Sequence, residues 1–108
     1  MAFERVAALA DIPRNGGLRV TVAGLTLGLF RIGDEVFCMD DVCPHAGYSL
    51  AEGEIEGSCI VCPAHGWEFD VRTGLAPGEI DEEPLDRYAV RVEGGSVYVD
   101  IEERLRDP

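Results

Sequence analysis

Nowhere does the chain approach the roughly 20 uninterrupted apolar residues that a membrane-spanning helix needs. Its start, Met1-Ala2-Phe3-Glu4-Arg5, lacks the basic-then-apolar order of an export signal. The expectation is a cytoplasmic protein with no membrane partner. Positive charge is scarce: nine Lys and Arg stand against 21 Asp and Glu, a net charge of -12. Nucleic acid and anionic membranes would be repelled and a basic protein surface attracted, although acidity also serves solubility alone. Helical signal is scarce too, since no window longer than ten residues carries a capped apolar stripe. Catalytic patterns are missing as well: no Ser-His-Asp set, no paired carboxylates and no Gly-rich phosphate loop after a strand. The expectation is a protein without substrate machinery of its own.

What is present is β-like. At 108 residues with 46% hydrophobic content, the chain has room for one domain, 1–108, with a core of its own. Asn15-Gly16-Gly17, Gly33-Asp34, Gly57-Ser58 and Gly94-Gly95 punctuate short runs, several of which alternate. Leu18, Val20 and Val22 share one side of a strand, as do Leu25, Leu27 and Leu29, then Tyr88, Val90 and Val92, then Val97, Val99 and Ile101. This predicts an all-β fold, an antiparallel sandwich or small barrel with hairpins at Gly33-Asp34 and Gly94-Gly95. The stretch Gly78 to Glu83 and the tail after Ile101 are expected to lie outside the packed body.

Two segments break the alternation and hold both histidines of the chain: Cys43-Pro44-His45-Ala46-Gly47-Tyr48 and Cys62-Pro63-Ala64-His65-Gly66-Trp67. Each follows a strand-like run, Glu35 to Met39 or Ser58 to Val61, and they read as matching loops, 43–48 and 62–67, at neighbouring tips of one small sheet. Four cysteines without an export signal favour metal binding over disulfides. The ligand pattern is C-x-H, sixteen intervening residues, then C-x-x-H. A structural zinc module would take two thiolates and two imidazoles, but it usually groups cysteines together and histidines together. One Cys-His pair per loop suits instead a two-iron cluster with both cysteines on one iron and both histidines on the other. Cys38 and Cys59 lie inside strand-like runs and are expected to be packed core thiols.

These segments closely resemble the two cluster-binding motifs of the Rieske family. Ser49-Leu50-Ala51-Glu52-Gly53 and Phe69-Asp70-Val71-Arg72-Thr73-Gly74 extend the resemblance to the Rieske ferredoxins of bacterial ring-hydroxylating dioxygenases, and the small subunit of assimilatory nitrite reductase is similar too. The resemblance implies stacked antiparallel sheets with a small cluster-binding subdomain, and one [2Fe-2S] cluster. It assigns Cys43 and Cys62 to the buried iron and His45 and His65 to the iron nearer solvent. The implied role is single-electron transfer from a flavin reductase to a terminal oxygenase, with a subunit of a nitrite reductase as the alternative. High-potential members join an extra cysteine in each loop as a disulfide, where this chain has Tyr48 and Ala64. They also place a serine and a tyrosine where this chain has Trp67 and Phe69. Both departures point to a low-potential centre. Tyr48, Trp67 and Pro77 are the candidates for its apolar cover.

Overall fold

A computed structural model describes residues 3–41, 49–62, 68–76 and 85–105. Nine strands run through them: β1 (Glu4–Ala8), β2 (Gly16–Val22), β3 (Leu25–Ile32), β4 (Glu35–Asp40), β5 (Glu54–Glu56), β6 (Cys59–Val61), β7 (Glu68–Asp70), β8 (Arg87–Glu93) and β9 (Ser96–Leu105). Single 3-10 turns occupy Leu9–Asp11 and Leu50–Glu52. The strands form a six-stranded sheet in the order β1-β9-β8-β4-β3-β2 and a three-stranded sheet in the order β5-β6-β7. Every pairing is antiparallel. The all-β antiparallel architecture is as the residue pattern implied, and the separate small sheet is as the family resemblance implied.

The alternating sets do share faces. Val22, Leu27, Leu29, Tyr88, Val97 and Val99 are buried in one core, with Leu18, Val20, Val90 and Ile101 packed against it. Leu25 and Val92, at the strand ends, stay exposed. What alternation misses is that β3 and β4 are covered on both sides. Leu29 and Cys38, paired across the two strands, enter the first core. Their neighbours Phe30 and Met39 turn the other way and meet Leu50, Ile60, Cys62, Phe69 and Val71 in a second core. Each Leu- or Phe-sized side chain buried in this way stabilises the fold by about 1.5–3 kcal/mol. The second core joins the small sheet to the middle of the large one.

Two-residue turns set the register. Gly33-Asp34 and Gly94-Gly95 close the β3–β4 and β8–β9 hairpins as expected. The β2–β3 turn is Ala23-Gly24, with φ of 50° and 83°. Positive φ at both positions is what a type I′ turn demands, and alanine there carries none of the usual Asn or Gly signal.

Two expectations are corrected. The residues after Ile101 do not leave the body at once, since β9 continues to Leu105 and Arg87 pairs with Leu105. The ladder skips from Tyr88↔Arg104 to Ala89↔Asp100, and buried Asp100 stabilises this bulge by accepting the Glu102 N–H at 3.0 Å. Nor do both loops follow strands of one small sheet: the first follows β4 of the large sheet, and only the second joins two strands of the small one. Gly78 to Glu83 lies outside the described residues.

Candidate metal centre

Of the four predicted ligands, Cys62 lies among the described residues, whereas Cys43, His45 and His65 do not, and neither do Tyr48, Trp67 and Pro77. Cys62 directly follows β6 and is buried, only 1% exposed, in the second core. β6 and β7 pair through Val61↔Glu68, Ile60↔Phe69 and Cys59↔Asp70, so segment 63–67 is spanned by a hairpin whose legs are in register. Alternation points Ile60 and Phe69 into the second core, and both are fully buried.

The first segment, 42–48, is bracketed differently. Met39 enters it from β4, Leu50 opens the 3-10 turn after it, and both are fully buried beside Cys62 and Phe69 in the second core. The flanks of both loops therefore converge on one apolar cluster. Asp41, 4% exposed, directly precedes the segment. Its Oδ1 accepts the Ala51 N–H at 2.7 Å and its Oδ2 accepts the Ser49 hydroxyl. Arg19 Nε lies 3.7 Å from the same Oδ2. Asp41 had no part in the reading of the sequence. The available signal was a carboxylate immediately before the first Cys-His segment with a hydroxyl immediately after it.

The remaining cysteines divide. Cys38 is buried in the first core, where desolvation and then the charge of Asp40 push its thiol up to about 12. It is the packed, unreactive thiol expected. Cys59 is only half-buried, which corrects the expectation of a core position. It stands on the outward face of β6, and partial burial, then Asp70 and Glu68, raise its pKa.

That outward face is acidic. Cross-strand rows run Glu54↔Val61↔Glu68 and Glu56↔Cys59↔Asp70, with Glu54, Glu56 and Glu68 exposed and Glu52 exposed in the adjoining turn. Like charges in neighbouring rows of a sheet are unfavourable. Asp70 is partly relieved because it accepts the Ser58 hydroxyl at 3.1 Å and the Arg72 N–H at 2.8 Å.

Comparison with known proteins decides what this arrangement serves. Residues 2–89 match the model of the Rieske [2Fe-2S] domain. The chain belongs to the Rieske [2Fe-2S] family. It is 35% identical over 96 residues to the 3-phenylpropionate/cinnamic acid dioxygenase ferredoxin subunit of Escherichia coli K12, covering 88% of this chain and 90% of that one. It is 36% identical over 94 residues to the ferredoxin component of the naphthalene 1,2-dioxygenase system of Pseudomonas aeruginosa, covering 87% and 90%. Among solved structures, the ferredoxin of carbazole 1,9a-dioxygenase from Nocardioides aromaticivorans IC177 superposes with a TM-score of 0.82 at 31% identity, covering 92% of this chain and 97% of that one. A putative nitrite reductase small subunit shares the fold, with a TM-score of 0.81 at 23% identity, covering 92% and 98%.

This Rieske protein carries one [2Fe-2S] cluster and transfers electrons, which sets the zinc module aside. The residues present fit such a group. Two thiols and two imidazoles are the donor set it takes, and Cys62, at the start of the second Cys-His segment, lies buried in an apolar cluster. When bound, the cluster supplies a one-electron redox couple.

Proposed function

We propose that Cys43, His45, Cys62 and His65 hold the cluster, the cysteines on the buried iron and the histidines on the iron nearer solvent. In this reading the chain accepts single electrons from a flavin reductase in the cytoplasm and passes them to a terminal oxygenase. The observation that carries it is the convergence on one buried cluster of Met39, Leu50 and Phe69, which flank the two Cys-His segments, with Cys62, which opens the second. Shared anchoring supports two loops acting on a single centre. Neutral imidazoles in place of two thiolates leave the site less negative in both redox states, which favours electron entry relative to an all-cysteine site. His45 and His65 give the electron its route in and out.

The partner assignment draws on the relatives. Those named above are ferredoxin subunits or components of dioxygenase systems, and a complex of oxygenase with ferredoxin in carbazole 1,9a-dioxygenase includes a chain 34% identical to this one, with a TM-score of 0.82 and 97% of both chains covered. The outward acidic face of the small sheet supports docking to basic patches on reductase and oxygenase. The deciding experiment is absorption and EPR spectroscopy of the purified protein before and after dithionite. A Rieske signal that disappears in the His65→Ala protein supports the assignment, and full iron and acid-labile sulfide in that variant would sink it.

A further inference from the structure

We propose that Asp41 is a positioning residue for the first ligand loop, holding its two ends together through Ser49 and Ala51. The proposal rests on the reading that Cys43 and His45 are ligands. Asp41 stands immediately before segment 42–48 and Ser49 immediately after it. One carboxylate oxygen takes the Ser49 hydroxyl and the other takes the Ala51 N–H at 2.7 Å. A carboxylate suits this arrangement, because the two donors each meet an oxygen of their own. Burying a carboxylate is costly unless it is hydrogen-bonded, and here both oxygens are engaged, with Arg19 Nε 3.7 Å from Oδ2.

Space is reserved for this arrangement. A Cβ at Gly28, on β3, would lie 3.1 Å from Asp41 Oδ1 and 2.5 Å from Phe30 Cζ. A Cβ at Gly17, on β2, would lie 2.9 Å from Ala51 Cα. Two neighbouring strands thus leave out side chains where the carboxylate and the turn it caps must fit. The Asp41 N–H is itself fixed to the Thr26 carbonyl at 3.3 Å.

The two ligand loops are consequently held by different means. The second is clamped by backbone pairing of β6 with β7. The first is flanked by β4 of the large sheet and by the Leu50–Glu52 turn that leads to β5 of the small one; among the described residues no strand pair brackets it, and the carboxylate takes that role. If its ends drifted apart, a cluster shared by Cys43, His45 and Cys62 would be held less firmly. Groups that hydrogen-bond a ligand directly typically change metal affinity about 10- to 100-fold when removed, and a residue acting through the loop ends should fall at the lower end of that range.

The test uses the cluster-loaded full chain with Ser49→Ala, Ser49→Thr, Asp41→Asn and Asp41→Ala. Three quantities are measured: the rate of cluster loss to a chelator, the EPR line shape of the reduced protein, and thermal unfolding by far-ultraviolet circular dichroism. The expected result is cluster loss about 10-fold faster in Asp41→Ala, with broadened EPR lines. Ser49→Ala should be affected less, and Ser49→Thr, which keeps the hydroxyl, should be close to wild type. Asp41→Asn should fall between wild type and Asp41→Ala. Should Asp41→Ala fail to fold, the Ser49 pair decides alone. Wild-type loss rates and line shapes in Ser49→Ala, with only thermal stability lowered, would overturn the proposal and reduce Asp41 to a cap on the Leu50–Glu52 turn. A full cluster in a Cys43→Ala protein would overturn the ligand assignment instead, so the two failures are distinguishable.

Discussion

The Tyr88 hydroxyl donates to Asp40 Oδ1 at 3.1 Å, tying β8 to the last residue of β4, one step ahead of the Asp41 clamp. Backbone atoms repeat the tie, since Asp40 N–H donates to the Asp86 carbonyl at 3.0 Å. Tyr88 is 2% exposed, so its hydroxyl makes this bond with little competition from water. Tyr88→Phe should therefore cost about 1.5–3 kcal/mol, the range for a hydrogen bond to a charged group. Urea unfolding of the two proteins measures it, and an unchanged midpoint would show the bond to be worth nothing net.

Replacing Cys43, His45, Cys62 or His65 with Ala should abolish or strongly impair cluster incorporation, as judged by iron and acid-labile sulfide. Cys59→Ser, on the outward face of β6, should keep both. Cys38→Ser should also keep the cluster but lose about 1–3 kcal/mol of stability, because it puts a hydroxyl into the first core. Loss of iron from either control would mean that the ligand set is wrong.

The reduction midpoint should lie near the lower end of the Rieske range, roughly -150 mV and far from its upper end near +300 mV. Phe69, which stands where high-potential members have a tyrosine, is fully buried in the same core as Cys62 and offers no hydroxyl. Phe69→Tyr should shift the potential upward. Protein-film voltammetry of the pair checks both statements, and a wild-type midpoint above zero would contradict the first.

Burial of Cys38 should appear as alkaline lability. Its thiol is raised from 9.0 to about 12 in the folded chain, so above pH 9 the unfolded chain loses this proton while the folded chain keeps it. The unfolded state then binds fewer protons, and stability falls with rising pH by up to about 1.4 kcal/mol per unit. The contribution is fully present below pH 9 and is lost as pH climbs toward 12. Chemical denaturation from pH 8 to 11 should show a steeper decline in wild type than in Cys38→Ala. Equal slopes would remove Cys38 as the cause.

Long-range attraction by the acidic face should be visible in kinetics. The second-order rate of reduction by a cognate flavin reductase should fall as salt rises, since screening at 0.1 M cuts off interactions beyond about 10 Å. Glu54→Gln and Glu68→Gln should lower the rate at low salt and flatten its salt dependence. A rate indifferent to ionic strength would leave the acidity as a solubility feature only.

The local pattern was enough to read most of the strands, though not β1 or β7, together with the hairpins at Gly33-Asp34 and Gly94-Gly95 and the two Cys-His segments, because turn chemistry and alternation act over a few residues. The C-x-H and C-x-x-H spacing pointed to a cluster, and the match of residues 2–89 to the Rieske [2Fe-2S] domain shows one. Alternation could not show that Phe30 and Met39 face a second core, because their partners Ile60, Cys62 and Phe69 lie far along the chain. The same limit hid the Ala23-Gly24 turn, where strand pairing rather than residue preference holds Ala23 at φ 50°. It hid Asp41 as well: in sequence an acidic residue in an acidic chain is a surface residue by default, and only the packing of Gly28 against its carboxylate and of Gly17 against Ala51 of the 3-10 turn leaves it buried. Residue type and spacing alone pointed to the proposed metal-holding atoms, because a donor set is written in residue identities. The joining of two sheets decided how their loops are held, because that depends on contacts between segments that no local preference encodes.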